Sequence, residues 1–191
     1  KKIKLFGILF AVTLLFSSCG YNNMVEKDEK VTQQWSQVEN VYQRRADLIP
    51  NLVKTVKGYA DHEKETLEGV INARAKATST TINAGDLNAE TIKNFQSAQD
   101  GLSSALSKLM VVVERYPDLK ANKNFLELQA QLEGTENRIA TERKRFNEAV
   151  GDYNTYIRSF PKNLTASMFD FEKRDYFKAQ EGAEKAPEVE F

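Results

Sequence analysis

The stretch VTQQWSQVENVYQRRADLIPNLVKTVKGY, residues 31–59, decides the fold. Taken at alternating steps of four and three, it gives Val31, Trp35, Val38, Tyr42, Arg45, Ile49, Leu52, Val56 and Tyr59, one seam along a helix. Arg45 alone breaks the apolar line. Pro50 removes an intrahelical hydrogen bond and disfavours helical geometry at Ile49, so a kink is predicted there. Gly58 weakens the helix further.

Three more helical segments follow. From Asp61, DHEKETLEGVINARAKA carries Leu67, Val70, Ile71 and Arg74 before the loop TSTTINAGD. Asn88, with Glu90 in the first turn, opens the next helix, whose seam is Ile92, Phe95, Gln99, Leu102, Leu106, Leu109, Val113 and Tyr116; Pro117 stops it. The last opens near Asn122 and repeats Phe125, Leu132, Ile139, Phe146, Tyr153 and Phe160 every seven residues until Pro161. Seven-residue apolar repeats with proline stops predict an all-α fold, an antiparallel up-and-down four-helix bundle with long helices.

Whether the first helix breaks at 56–61 decides the register. A continuous helix from 24 to 77 would project past its neighbours and expose Val31, Trp35, Val38 and Tyr42. A turn between Val56 and Asp61 makes the piece 24–57 match 122–160, and is the preferred arrangement. Folded back, Arg45 comes level with Glu133 and Glu136; continuous, it comes level with Asp118. After Pro161, the aromatic residues Phe169, Phe171, Tyr176 and Phe177 are expected to dock on the bundle.

The chain begins with an address. Lys1, Lys2 and Lys4 precede the apolar run ILFAVTLLF, and Ser17 and Ser18 lead into Cys19, the pattern of a secretory signal. FSSC resembles a bacterial lipobox, in which Cys19 is lipidated. An uncleaved transmembrane anchor is the alternative, although the apolar run is shorter than the roughly 20 residues that span a bilayer. Either way the lysines stay on the cytoplasmic side and the body faces outward. Asn22 or Asn23 is positioned to cap the first helix of that body. The expected organisation is 1–19 signal peptide and lipobox or membrane anchor, 22–177 helical bundle, and 178–191 a polar, mobile tail.

Composition narrows the function. Of 191 residues, 27 are Lys or Arg and 27 Asp or Glu, so no net field favours nucleic acid. The single cysteine excludes an internal disulfide and a cysteine metal cluster. His62, the one histidine, is followed by Glu63 but has Thr66 where a zinc-protease helix places its second histidine. Gly58, Gly69 and Gly101 are isolated, so no phosphate loop is present, and no nucleophile has a partner implied by spacing. No catalytic, cofactor or metal residue is assigned, and the expectation is a non-enzymatic protein. The seam-breaking polar residues Arg45, Gln99 and Glu142 are expected to fix helix register, since a buried charge must be paired. Trp35 and Tyr42 are each read first as core residues, and a groove exposed beside them is the face where a partner contact is expected, aromatic residues being enriched at binding hot spots.

Two long passages carry a family resemblance. WSQVENVYQRRADLIPNLVKTVKGYADHEKETLEGVINARAKA and VVVERYPDLKANKNFLELQAQLEGTENRIATERKRFNEAVGDYNTYIRSFPKN resemble the LemA family of bacterial envelope proteins. The resemblance runs from Trp35 to the end of the chain. It implies a helical bundle and a membrane-attached extracytoplasmic domain, and it supplies no catalytic residues. Many members have a longer transmembrane helix than FSSC suggests here. Family genes often neighbour those of membrane metallopeptidases. The expected function is therefore an envelope scaffold or protein-interaction module, bound to an envelope protein or to itself; the alternative is an adaptor subunit of a membrane protease.

Overall fold

The computed structural model describes the backbone of residues 2–178, and the side chains from Gly20 onward except Ala84. Cys19 and the rest of the segment 1–19 therefore lie outside the described side chains, and the tail beyond Lys178 lies outside the described residues. Among the described residues no helix is long and apolar enough to cross a membrane.

The chain is all-helical, with no strand among the described residues. The elements are α1 (Lys2–Lys57), α2 (Lys64–Ser79), a 3-10 turn (Ala84–Asp86), α3 (Ala89–Val113), α4 (Pro117–Lys120), α5 (Lys123–Arg158) and α6 (Lys162–Met168). The first helix stops at Lys57 and the chain reverses through Gly58–Glu63, within the interval where the seam weakens. The predicted cap at Asn22 or Asn23 is not formed. Both residues lie inside α1, where backbone amides already pair with the carbonyls four residues back. The caps at Asn88 and Asn122 are present: Asn88 accepts from the amides of Glu90 and Thr91, and Asn122 from that of Phe125.

Helix α1 continues through Pro50. A proline there lacks the N–H that would bind the carbonyl of Ala46. Arg74 of α2 supplies the missing donor, its Nε lying 2.7 Å from that oxygen. The predicted weak point of α1 is thus where α2 is fastened to it.

Contacts between helices fix their directions. Along α1, Lys27 lies at Tyr156, Trp35 at Phe146, Arg45 at Glu136 and Tyr59 at Asn122, so α1 and α5 run antiparallel and form the most extensive pair. Ala77 faces Gln99 and Glu63 faces Arg115, so α2 and α3 are antiparallel as well. By contrast α3 and α5 barely approach one another.

The buried residues fall into two clusters. One holds Met24, Val31, Trp35, Val38, Tyr42, Phe95, Phe146 and Tyr153; the other holds Ile49, Leu52, Val56, Leu67, Val70, Leu102, Leu109 and Phe125. Each large apolar side chain in either cluster contributes about 1.5–3 kcal/mol by leaving water. The α1 seam ends earlier than predicted, because Tyr59 is exposed, and on α2 the predicted apolar residue Ile71 is exposed too. Tyr59 instead uses its hydroxyl to accept a hydrogen bond from Asn122 at 2.8 Å, tying the turn to the start of α5.

Helix α6 and the path of the segment after it were not legible in the sequence. α6 ends in a Schellman-type turn: the Phe171 amide donates to the Ala166 carbonyl at 2.9 Å and Asp170 takes φ 56°. The segment 171–178 then runs back along α5. Of its predicted docking aromatics, Phe177 is buried and Phe171 half-buried, whereas Phe169 and Tyr176 are exposed.

Candidate functional site

Between the two clusters lies a polar layer built by four helices. Arg45 of α1 is 1% exposed, held in place by the apolar residues on either side of it in the seam. Its Nη1 donates to Ser103 Oγ at 2.9 Å and to Glu136 Oε1 at 2.8 Å, and its Nη2 donates to Gln99 Oε1 at 2.7 Å and to the Gln99 carbonyl at 3.2 Å. Its Nε has no hydrogen-bond partner, and the guanidinium carbon lies 5.1 Å from the centroid of the Tyr42 ring. Glu136 was one of the two acids that the folded-back register set level with Arg45. Its side chain is 47% exposed, so water reaches this pair from one side.

Gln99 links the fourth helix, α2, into the layer. Its Nε2 donates to the carbonyl of Ala77 at 3.2 Å. Ala77 lies in the last turn of α2, where carbonyls lack intrahelical donors, so the glutamine satisfies an orphan group while orienting its own oxygen toward Arg45. Arg74 and Ala46 make the second α1–α2 fastening at the same level. Glu142 does not join this layer. Its carboxylate, 15% exposed, pairs with Arg145 on its own helix at 2.8 Å.

Trp35 and Tyr42 do not line an exposed groove. They are 1% and 5% exposed, and the space beside Trp35 is filled by the tail. Trp35 meets Phe95 and Phe146 edge-on, with centroids at 5.2 and 5.6 Å, and stacks on Phe177 at 5.7 Å. Burial pushes the Tyr42 phenol up, an effect partly offset by Arg143 and Arg45.

The tail is held by a ladder of side-chain amides that sequence reading missed. Asn154 accepts from the Arg174 amide and donates to the Arg174 carbonyl, at 3.0 and 2.9 Å. Asn147 makes the same pair of bonds with Phe177, at 2.9 and 3.1 Å. Seven helical residues rise about 10.5 Å, and three extended residues span about 10 Å. The two spacings match, which allows one face of α5 to read an extended chain. Arg174 completes the attachment with a two-pronged pair to Asp28 of α1, at 2.9 and 3.0 Å. The Lys178 carbonyl accepts from both Arg143 of α5 and Gln96 of α3, so the tail bridges the two helices that do not pack closely. Tyr153 donates to the Glu172 carbonyl at 2.9 Å; burial, with Asp28 nearby, pushes its phenol up to about 12. The sequence signal was a pair of asparagines seven apart on the apolar face of α5.

A groove of about 1000 Å³ runs along α3 from the end of this tail, lined by Ile92, Gln96, Asp100, Ser103, Ser104 and Lys178. Through Ser103 it reaches the Arg45 layer. Its polar chemistry is serine hydroxyls and the Gln96 amide, with the charged side chains Lys93, Asp100, Asp175 and Lys178. Among the described residues no group of three or more His, Cys, Asp or Glu side chains is arranged to hold a metal ion. His62 is exposed in the turn before α2.

Comparison with known proteins agrees with this frame. The LemA family model matches residues 34–191. Magnetosome protein MamQ 2 of Paramagnetospirillum magneticum is 30% identical over 190 residues, covering 89% of this chain and 68% of that protein. Magnetosome protein MamQ of Magnetospirillum gryphiswaldense is 29% identical over 187 residues, with the same coverage, 89% and 68%. Protein LemA of Metamycoplasma hominis is 26% identical over 183 residues, covering 93% of this chain and 80% of that protein. The matched span takes in the polar layer and the tail that closes the aromatic core, and the chain belongs to the LemA family.

Proposed function

We propose that this protein is a membrane-anchored, extracytoplasmic scaffold, a non-enzymatic interaction module whose four longest helices act as an antiparallel up-and-down bundle. The observation that carries the reading is the closure of the polar layer. Arg45 and Gln99, the buried seam-breaking residues, are used in joining α1, α2, α3 and α5 to one another. That is framework chemistry, which sets register and orientation. Anchoring is supported by the basic and apolar segment that ends at Cys19, together with the continuity of α1. Its 56 residues extend about 84 Å as one helix from Lys2 into the body. The groove along α3 replaces the Trp35 face as the surface offered to a partner, because it is recessed, lined by both polar and apolar groups, and not filled by any of the described residues.

The test is site-specific photo-cross-linking in intact cells, with the reactive group at Ser104 in the groove and, as a control, at Leu126 on α5. A partner captured from Ser104 and not from Leu126 is the expected result. Capture of an active membrane peptidase would replace the scaffold reading with the adaptor one. No adduct beyond the control would remove the groove as a contact face. The intact mass of the same purified protein reads the anchor: a chain beginning at lipidated Cys19, or one retaining residues 1–18.

A further inference from the structure

Six of the eleven exposed large apolar side chains among the described residues lie at the end of the molecule formed by the start of the α1 body and α6. Tyr21 and Val25 of α1, Phe160 before α6, Leu164 and Met168 on α6, and Phe169 after it are all exposed, from 37% at Tyr21 to 82% at Phe160. Leu164 and Met168 are four apart within α6 and so share one face, and Phe160 is exposed in the turn that leads into it. α6 buries Ala166 and turns its larger apolar residues outward, the reverse of a helix packed on a core. Tyr21 and Phe169 meet edge-on with ring centroids at 4.9 Å, which joins the α1 and α6 contributions into one surface. A contiguous exposed patch of this kind marks an interaction site.

Position and chemistry indicate what covers it. Tyr21 lies five residues beyond Phe16, the last residue of the apolar run, about 7.5 Å along the same helix. Residues at that height above a hydrocarbon core occupy the headgroup layer, where aromatic rings are favoured. The rim carries lysines: Lys162 and Lys27 lie 3.8 and 5.4 Å from the centroid of the Tyr156 ring, next to α6, on a surface that also holds Glu148 and Asp152. Apolar side chains on α6 and aromatic ones at its two ends, beside lysines, suit a lipid surface, which takes rings and methylenes at the acyl boundary and ammonium groups among the phosphates.

We propose that Tyr21, Val25, Phe160, Leu164, Met168 and Phe169 form a lipid-contacting face that rests α6 in the membrane interface beside the N-terminal segment. This inference rests on the membrane-anchored reading and adds the orientation of the body: its α6 end lies on the bilayer and the Gly58–Glu63 turn points away from it. The tail clasp serves the same geometry, because Arg174 and Asp28 pin the chain immediately after α6 to α1.

The test uses the full chain carrying Met168→Trp, mixed with vesicles of phosphatidylglycerol and brominated phosphatidylcholine. Trp35 is buried and lies about 21 Å along α1 from Tyr21, so the native chain provides an unquenched reference. The expected result is a blue shift of the added indole and about twofold quenching, as for a helix lying about 5–10 Å into the boundary. The native emission should not change. Co-sedimentation with the vesicles while the added indole stays unquenched would overturn the lipid face and leave the anchor standing. Failure to co-sediment would overturn both. A blue shift without quenching, accompanied by a doubled mass in detergent, would assign the face to a second copy and overturn the inference. Circular dichroism of the variant, matched to that of the native chain, checks that its fold is retained.

Discussion

The Trp35 core and the Leu52 core share α1, α3 and α5 but are built in different ways. On the Leu52 side the buried residues are mainly aliphatic, and α2 lies against both α1 and α3. On the Trp35 side, Trp35, Tyr42, Phe95, Phe146 and Phe177 pack edge-on and stacked, with Tyr153 buried in the same cluster, and the wall between α3 and α5 is a peptide strap. Aliphatic side chains fill a helical interior of ordinary width without help from outside it. Rings need more room and defined angles. The strap supplies both, with Phe177 entering between Trp35 and Phe146 and its backbone fixed by Asn147 and Asn154. The polar layer separates the two constructions and sets their register.

The largest expected effect comes from breaking the boundary between them. Arg45→Glu would place a carboxylate against Glu136 and the Gln99 oxygens, costing about 5 kcal/mol in urea unfolding, at the upper end for a disrupted buried pair. Adding Glu136→Arg should recover part of that loss. Arg45→Met keeps the stem and removes the charge, and is expected to cost less than the reversal, because the half-exposed Glu136 can return to water and meets no like charge. Equal losses for the Met and Glu variants would mean that packing of the stem, not the ion pair, holds the layer.

Trp35→Ala should come next, at about 3–5 kcal/mol for a fully buried tryptophan. Its value for the comparison lies in where the loss appears. Hydrogen exchange should accelerate in α1 from Met24 to Tyr42 and in the tail, while Ile49 to Val56 remain protected. Uniform acceleration would show that the two cores unfold as one unit.

The smallest effect is a pH dependence. The Tyr153 phenol is raised to about 12 in the folded chain, against about 10 when unfolded. The unfolded state therefore releases its proton first. Stability from this group is complete below pH 10 and is lost as pH rises from there through about 12. Tyr153→Phe should flatten that decline in an alkaline melting series, at the expense of about 1 kcal/mol near neutrality from the lost bond to the Glu172 carbonyl. An unchanged alkaline slope would assign the decline to another group, with Tyr42 and Tyr116 also raised.

What could be read in the sequence was whatever repeats along a single helix. The four-and-three spacing from Val31 to Val56, the caps at Asn88 and Asn122 and the weak interval after Val56 are local, so the helices, the starts of α3 and α5 and the reversal could be found one segment at a time, whereas the start of α1 was misplaced at Asn22 or Asn23. The level of Glu136 against Arg45 followed from counting outward from that reversal, because antiparallel helices share the same rise. The sequence also marked Arg45 and Gln99 as seam polar residues, but not how their bonds would be shared. Tertiary structure decided the rest. Ala46 needs Arg74 only because Pro50 leaves its carbonyl free beside α2, and Trp35 becomes core rather than contact face only because Phe177, far along the chain, returns to cover it. Glu142 turned to Arg145 on its own helix for the same kind of reason: periodicity gives the side a residue faces, and a partner is chosen by what stands opposite after folding. The outward face of α6 belongs to this second class. The spacing of Leu164 and Met168 was written in the sequence, but that no described residue covers them emerged only when every other helix had been placed.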